Sequence, residues 1–366
     1  CCGSGTTLAA AQDLGLRYAG MDVSPAAVAV SWSRLKTENL RVLCPCGQDG
    51  AELLAEGQST GLSLLETERS TSSAWSIGRT VREETIDRCL EMRAVTDGPV
   101  RQSVSARFSM GASEALLTYF LDMDAQAVGV DIHADWHGTG KETVPVFRYE
   151  VPLRKNCESY RFDVPAGSVI RPPRKNDVPG LQYAMALDES GKGRGLILIS
   201  DSKYGYRAEK ERLSLTLINS SVSPDPYPER GIHDVRAWIG AVSDDAGEAE
   251  RLATDLNRGL IYQSAAIHGG TLPPEDSLMD IQGDGTEITS VAAENHELII
   301  RGYESKGKKT KLDIRLAVPG KSARRTDLLG QEQNISVIRT EKGWQTEIEA
   351  MRLFEIRITF AETQTR

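Results

Sequence analysis

The sequence predicts a mainly β protein built from antiparallel sheets, and three observations support this fold class. Short extended segments recur along most of the chain; in residues 213–218, apolar and polar residues alternate with the period of a half-buried strand. Glycine and proline turns, such as residues 97–99, separate these segments. Within this β region, apolar residues recur at helical spacing in residues 244–260, which predict one helix.

Composition restricts the possible classes of protein. The 366 residues are 40% hydrophobic and 26% charged, which is typical of a globular protein with more than one domain. A net charge of −9 argues against a nucleic-acid partner, and no apolar run approaches the roughly 20 residues of a membrane span. Neither a membrane partner nor a signal peptide is therefore expected. The oligomeric state cannot be predicted from the sequence.

The six cysteines show no repeated framework, and Cys44-x-Cys46 lacks a second pair. We therefore predict reduced thiols and a cytoplasmic protein. The first residue is Cys1 rather than methionine, which leads us to expect a piece of a longer protein.

The first 37 residues show a different pattern. A glycine turn containing Gly3 and Gly5 precedes a helical run, a short apolar strand and the carboxylate of Asp22, and residues 24–35 predict a second helix. In a nucleotide-binding α/β unit such glycines let the backbone approach the ligand, and such a carboxylate binds a ribose. The string CGSGTTLAAAQDLGLRYAGMDVSPAAVAV resembles the S-adenosylmethionine-binding segment of DNA amino-methyltransferases. The resemblance implies Gly3, Gly5 and Asp22 as cofactor contacts if this fragment is functional, although the Pro-Pro catalytic motif of that family is absent.

From residue 38 the chain continues as extended segments. Residues 100–108, 115–123 and 128–136 predict successive strands of an antiparallel sheet with one buried face. On the last of these, His133, Asp135 and His137 point to one side and could bind zinc, but no fourth ligand is evident and an ordinary strand is favoured.

Residues 195–240 contain three predicted strands with two functional candidates between them. In and after the polar turn 201–205, Lys203, Tyr204 and Arg207 could contact a sugar, or a tyrosine could pack the turn. Residues 224–228, Pro-Asp-Pro-Tyr-Pro, form a stiff loop that presents residues 229–233 at one rim before a strand over 235–239. After the predicted helix, further strands over residues 297–302, 311–317, 334–339 and 353–360 predict a smaller terminal sandwich.

The string SDSKYGY…LSLTLINSSVSPDPYPERGIH resembles the C-terminal β-sandwich region of glycoside hydrolase family 38, the α-mannosidases. The stretches SAWSIG, ELIIRGYESKGKK, TDLLGQ and LFEIRITF follow in the order of that family, so the resemblance covers about residues 38–362. It implies a large galactose-mutarotase-like antiparallel β-sandwich over residues 38–270 and a small β-sandwich over 271–366, after a short α/β fragment over 1–37. Because the change at residues 37–38 has no linker, we expect a chimeric or rearranged reading frame.

The family resemblance implies a retaining, zinc-dependent α-mannosidase whose catalytic carboxylates and zinc lie on an N-terminal barrel. No barrel motif precedes the sandwich here, so we expect no catalytic residue, metal site or cofactor in this chain. The expected partners are α-mannoside oligosaccharides and the missing barrel. By motif position, Arg230 with Glu229, Asp225 and His233 is implied to line the rim of the sugar pocket; a salt bridge that pins the loop is the alternative. The other open functions are a free-standing carbohydrate-binding module and a methyltransferase remnant.

Overall fold

The computed structural model describes residues 60–139, 142–188, 194–221, 223–224, 229–259, 263–264, 269 and 276–360. Within these residues there are 23 strands and one helix, which confirms the predicted mainly β class. The chain divides into two compact units. The first contains the described residues up to Phe162 together with Ile170–Asp244, and the second contains Asp163–Val169 with the described residues from Asp245 onward. The predicted domain boundaries stay predictions.

The strands from residue 61 to residue 243 form two antiparallel sheets, of six and nine strands. The six-stranded sheet has the order β10-β13-β14-β7-β1-β2, and the nine-stranded sheet has the order β3-β4-β5-β6-β15-β12-β11-β8-β9. The bounds are β1 (Gly61–Glu68), β2 (Thr80–Ile86), β3 (Cys89–Asp97), β4 (Arg101–Met110), β5 (Ser113–Asp122), β6 (Ala127–Trp136), β7 (Thr143–Pro152), β8 (Tyr160–Val164), β9 (Gly167–Arg171), β10 (Val178–Pro179), β11 (Tyr183–Ala186), β12 (Arg194–Ser200), β13 (Gly205–Ala208), β14 (Arg212–Asn219) and β15 (Gly231–Ser243).

Aromatic contacts between these two sheets show that they pack face to face. Trp136 of β6 stacks on Phe147 of β7, with ring centroids 5.6 Å apart and ring planes 17° apart. Phe162 of β8 meets the ring of Tyr206 of β13 edge-on at 6.5 Å. These rings belong to opposite sheets and are almost fully buried, so they form the core of a β-sandwich.

The second unit contains two four-stranded sheets, β16-β19-β22-β21 and β17-β18-β23-β20. A cluster of buried apolar side chains, including Ile314 and Trp344 of the first sheet and Ile300 and Phe354 of the second, fills the space between them. The smaller terminal sandwich is therefore confirmed. The bounds are β16 (Met279–Gln282), β17 (Thr286–Glu294), β18 (Glu297–Glu304), β19 (Thr310–Leu316), β20 (Ser322–Thr326), β21 (Val337–Arg339), β22 (Gly343–Ile348) and β23 (Leu353–Thr359).

The predicted helix is present as α1 (Ala246–Asn257), shorter than the predicted range. Asp245 caps its N-terminus, and the Asp245 carboxylate accepts a hydrogen bond from the Gly247 main-chain N–H at 2.7 Å. The helix buries Ala249, Leu252 and Ala253 on one side, as the helical spacing predicts. Among the described residues, no helix has the length and apolar character needed to cross a membrane.

Two local predictions are wrong in detail. The strand predicted over residues 235–239 is the 13-residue β15, which pairs with both β6 and β12, so Ile232 and His233 lie in the ladder rather than in the loop. Exposed polar and charged residues at its start hid the strand pattern. The polar turn predicted over residues 201–205 ends one residue earlier, because Gly205 begins β13 and pairs with Pro179 of β10.

Candidate functional site

Two loops of the first unit meet at one end of the six-stranded sheet. One connects β1 to β2 and the other connects β14 to β15. The Asn219 side-chain amide donates to the Ser73 carbonyl at 2.9 Å, and the Ser223 hydroxyl donates to the Thr71 carbonyl at 3.2 Å. The Ala74 main-chain N–H donates to the Ser223 carbonyl at 3.0 Å. We call residues 70–76, 219–221, 223–224 and 229–233 the rim.

Serine side chains shape both halves of the rim. The Ser73 hydroxyl donates to the Ser70 carbonyl at 2.6 Å and accepts from the Ser70 main-chain N–H at 2.7 Å, which closes a tight turn. In the other half, the Ser221 hydroxyl donates to the Ser223 carbonyl at 3.0 Å. The indole N–H of Trp136 donates to the hydroxyl of the buried Ser220. The serine-rich sequences of both loops therefore satisfy their own polar backbone and hold the rim on the sandwich.

The structure places three of the four predicted rim residues next to one another at the start of β15. Glu229 and Arg230 are exposed, and His233 is half-buried. The His233 Nε2–H donates to the main-chain carbonyl of Glu229 at 2.9 Å, which ties the loop to the strand. Between them, Gly231 has a backbone φ of +126°, which residues other than glycine rarely adopt. Asp225 lies outside the described residues.

The Arg230 guanidinium makes no ion pair with another described residue. The loop-pinning salt bridge that was the alternative to a sugar contact is thus not seen in the described part of the chain. The five N–H donors of an arginine in this position are open to solvent and can bind hydroxyl oxygens or a carboxylate. A role in sugar binding stays a prediction.

Sequence reasoning missed Trp75 as a functional candidate. Its side chain is 78% exposed, and its loop is the one bonded to Ser223 of the other half of the rim. An exposed tryptophan on a loop offers a flat apolar ring to a ligand, which makes Trp75 a candidate contact residue. The signal that could have found it is a lone tryptophan within a serine-rich turn, residues 70–76.

The His-x-Asp-x-His stretch of β6 forms two separate pairs. His133 Nδ1 lies 2.6 Å from Asp234 Oδ1, whereas His137 Nε2 lies 3.1 Å from Asp135 Oδ1. In the described ranges, no three histidine, cysteine, aspartate or glutamate side chains come together in a way that could hold a metal ion. His133 and Asp135 lie on an ordinary sandwich strand and His137 follows its end; the described part of the chain offers zinc no fitting set of ligands.

Arg207 is not exposed to a ligand. Its side chain is 6% exposed, and its Nε lies 3.3 Å from Asp177 Oδ1. The sugar contact considered for Arg207 is therefore wrong, because its charge is compensated inside the protein. Tyr204 is 59% exposed, whereas Tyr206 is fully buried and donates to the Gln182 carbonyl at 2.9 Å, so Tyr206 packs this turn.

The predicted methyltransferase-like fragment lies outside the described residues. This applies to Gly3, Gly5 and Asp22, and also to Cys44 and Cys46. The two cysteines that the structure describes, Cys89 and Cys157, are free thiols.

Two family models match the chain. Residues 47–227 match the C-terminal domain of glycosyl hydrolases family 38, and residues 288–363 match the C-terminal β-sandwich domain of glycosyl hydrolases family 38. The first match contains most of the rim, and the second covers most of the terminal sandwich. Neither match supports a methyltransferase-like fragment.

Known proteins show the same similarity. An α-mannosidase of Saccharomyces cerevisiae is 25% identical over 179 residues, which are 46% of this chain and 16% of the yeast protein. The crystal structures of an α-mannosidase from Enterococcus faecalis V583 and of a family 38 glycosyl hydrolase from E. faecalis both superpose with a TM-score of 0.67 at 12% identity. Both superpositions cover 85% of this chain, and 39% and 40% of those chains. At this identity the structures show a shared fold, and this chain spans less than half the length of these relatives.

Proposed function

We propose that this chain, which carries the two C-terminal domains of glycoside hydrolase family 38, forms the glycan-facing β-sandwich region of an α-mannosidase. The observation that supports this most directly is the rim. There Arg230, which has no ion pair among the described residues, and the 78%-exposed Trp75 lie on two loops bonded to each other. The substrate class is α-mannoside oligosaccharides, as the names of the relatives suggest.

The two kinds of side chain on the rim suit a sugar. The guanidinium of Arg230 donates hydrogen bonds to hydroxyl oxygens in a fixed geometry. The ring of Trp75 offers an apolar surface for the C–H face of a pyranose. Neither group can break a glycosidic bond, because retaining hydrolysis needs one carboxylate as nucleophile and another as acid and base. The rim is therefore proposed to hold and orient the glycan.

The chemistry itself is proposed to belong to a separate catalytic part of the mannosidase, against which the rim docks. Glu229 is the carboxylate nearest to Arg230 in sequence, but it is exposed, and its environment gives it no feature of a catalytic group. Zinc finds no fitting ligand set among the described residues, so its ligands are proposed to lie on the catalytic part as well. The free thiols of Cys89 and Cys157 support a reducing, cytoplasmic setting.

The first experiment incubates the purified chain with 4-nitrophenyl α-mannoside, with and without zinc. No release of nitrophenol is expected, and zinc-dependent turnover would refute the proposed non-catalytic role. The second experiment uses the complete mannosidase that contains this region. Arg230→Ala is expected to lower kcat/KM by about 10- to 100-fold, the loss typical of a hydrogen bond from a charged group.

The matched control is Arg82→Ala, because Arg82 is also an exposed arginine and its ion pair with Glu84 lies on the edge strand β2. This variant is expected to keep wild-type kinetics. If Arg230→Ala and Arg82→Ala behave alike, the rim does not contact the substrate.

A further inference from the structure

The second unit contains a cavity of about 540 Å³ at one end of the sheet β16-β19-β22-β21. All four strands of this sheet contribute to its lining, with Asp280 from β16, Arg315 from β19, Arg339 from β21 and Trp344 from β22. Its volume falls within the range of roughly 300–1,000 Å³ that is usual for small-molecule sites. No rim residue is part of it.

The walls of this cavity are held by regular backbone pairing. Asp280 lies opposite Arg315, Arg315 opposite Gly343, and Arg339 opposite Trp344 in the strand ladders. The turn between β21 and β22 is closed by the Thr340 main-chain N–H, which donates to the Gly343 carbonyl at 2.9 Å. A site built on strand ends and a short turn keeps its side chains in fixed positions.

The charges that line the cavity are balanced. Three carboxylates and three cationic groups contribute to it: Asp276, Asp280 and Glu341, and Arg315, Arg339 and Lys342. An anion or a cation would meet like charges as well as opposite ones, which costs binding energy. A neutral ligand that both donates and accepts hydrogen bonds suits such a lining.

The Asp280–Arg315 pair keeps hydrogen-bonding capacity for a ligand. Asp280 Oδ2 and Arg315 Nη1 are 3.7 Å apart, which is too long for a hydrogen bond. The two carboxylate oxygens of Asp280 accept from the Gln282 amide at 3.3 and 3.0 Å, and a carboxylate can accept about four hydrogen bonds. Two neighbouring hydroxyl groups of a ligand could therefore donate to Asp280 and accept from Arg315.

Trp344 adds an unused donor. The side chain is 6% exposed and belongs to the core cluster, and the guanidinium of Arg339 lies 5.3 Å from the ring centre. Among the described residues, no oxygen accepts a hydrogen bond from its indole Nε1–H. Gly320, which also lines the cavity, lies beside this donor; a Cβ there would stand 3.1 Å from Nε1 and 2.5 Å from Ile358 Cγ2. An oxygen of a ligand in the cavity could accept a hydrogen bond from this N–H.

We propose that this cavity binds one neutral sugar residue, a pyranoside whose hydroxyls bridge Asp280 and Arg315 and accept from Trp344. The site is separate from the rim and would give the protein a second contact with a glycan. It goes beyond the proposed function, since a glycan could be held here whether or not the rim faces a catalytic centre.

The test measures the binding of the methyl α-pyranosides of mannose, glucose and galactose to the full chain. Binding is detected by calorimetry and by saturation-transfer NMR. At least one is expected to bind with a Kd of about 1–10 mM, the affinity of a single small site. Asp280→Asn and Trp344→Phe, which preserve size and shape, are each expected to weaken binding at least fivefold.

Two controls lie outside both the cavity and the rim. Gly61→Ala adds a methyl group in open space and should leave binding unchanged, as should Arg82→Ala on the edge strand β2. Absence of binding by all three glycosides would overturn the inference, and so would binding that all cavity variants retain. Binding that is lost in Arg230→Ala but kept in Asp280→Asn would also overturn it, while supporting the role proposed for the rim.

Discussion

The phenol of Tyr303 donates a 2.6 Å hydrogen bond to the carboxylate of Glu250, inside the second unit. Glu250 of α1 is 5% exposed, and burial raises its pKa to about 7 despite this bond. Glu287 of β17 is 9% exposed, and burial together with the charge of Glu250 raises its pKa to about 7 as well. The Oε1 atom of Glu287 is buried and has no hydrogen-bond partner within the part of the chain that the structure describes. Both groups therefore favour the protonated form.

These two carboxyl groups make the stability of the second unit pH-dependent. Their pKa values are raised on folding, so their stabilising effect is complete below about pH 4.5 and is lost as the pH rises through about 7. Other charges acting on them are those of Asp163, Arg251, Asp255 and Arg258. The thermal midpoint of the full chain is expected to be lower at pH 8 than at pH 5.5. The corresponding loss in the free energy of unfolding is roughly 1–3 kcal/mol.

Glu287→Gln removes one ionisable group and is expected to flatten this pH dependence, with a gain in midpoint at pH 8. The control is Glu294→Gln, at the exposed end of the same strand β17, which should keep the wild-type slope. Thermal unfolding followed by circular dichroism at four pH values would check this. Equal slopes in wild type and Glu287→Gln would contradict it.

Asp177 compensates two buried arginines. Its carboxylate lies 2.6 Å from Arg148 Nη2 and 3.3 Å from Arg207 Nε, and these arginine side chains are 1% and 6% exposed. Burial already lowers the pKa of Arg148 to about 10, and Asp177 opposes that shift. Asp177→Asn removes the carboxylate that pairs with both guanidinium groups and is expected to cost about 3–5 kcal/mol of unfolding free energy.

The comparison for Asp177→Asn is Asp122→Asn, which breaks an ion pair with Arg101 whose side chains are both more than 40% exposed. That change is expected to cost about 0–1 kcal/mol, because solvent screens the pair. Urea unfolding of both variants measures the difference. Similar losses of unfolding free energy in the two variants would show that the buried ion pairs of Asp177 stabilise the protein no more than an exposed pair does.

Gly129 of β6 provides the space for the ring of Phe120. A Cβ at Gly129 would lie 2.0–2.5 Å from three atoms of this ring, so the ring must move. The same ring has the guanidinium groups of Arg101 and Arg236 at 4.4 and 5.2 Å from its centre, and moving it disturbs both contacts. Gly129→Ala is expected to cost about 1–3 kcal/mol, whereas Gly61→Ala, in open space on β1, should change stability by less than about 1 kcal/mol. If Gly129→Ala and Gly61→Ala have equal midpoints in chemical denaturation, the Phe120 ring moves aside without cost.

The pKa of Glu355, on β23, is shifted in the opposite direction to that of Glu287. Its carboxylate is fully buried, which opposes ionisation, yet Thr326, Arg301 and Arg357 donate to it at 2.7, 2.5 and 2.7 Å and hold its pKa below the ordinary value. Its stabilising effect is thus present above the pKa of the unfolded chain and is lost on acidification through the lower folded value.

Glu355→Gln is expected to destabilise the protein by about 2–4 kcal/mol at neutral pH, since two arginines lose a charged partner. Glu347→Gln, which breaks an exposed pair with Lys309, is the matched change and should have little effect. Thermal midpoints at pH 7 and pH 3 distinguish the two. If Glu355→Gln lowers the thermal midpoint by the same amount at both pH values, the electrostatic explanation is contradicted.

The strands that sequence reasoning found are those with one clear buried face, such as β5, in which Ala115, Leu117 and Tyr119 alternate with more exposed residues. The edge strands β2 and β3 were not identified individually. They end their sheets, and most of their side chains face solvent, so no hydrophobic period marks them.

Residues of the candidate site could be predicted only where they belong to one short sequence motif. Glu229, Arg230 and His233 are close in sequence, and the motif alone brought them together. The meeting of Trp75 with this loop, and the pairing of Arg207 with Asp177, depend on contacts between distant parts of the chain. Local pattern holds no information on such contacts, because the sandwich topology creates them.

The hydrogen bonds that close the rim join residues 146 and 152 positions apart. Closing so long a loop costs chain entropy that only the completed sandwich can offset. The rim is consequently a non-local product of folding that a nascent or partly folded chain cannot display. Under the proposed function, a glycan would meet the Trp75 and Arg230 loops together only on molecules that have finished folding, and binding would then report that the sandwich is complete.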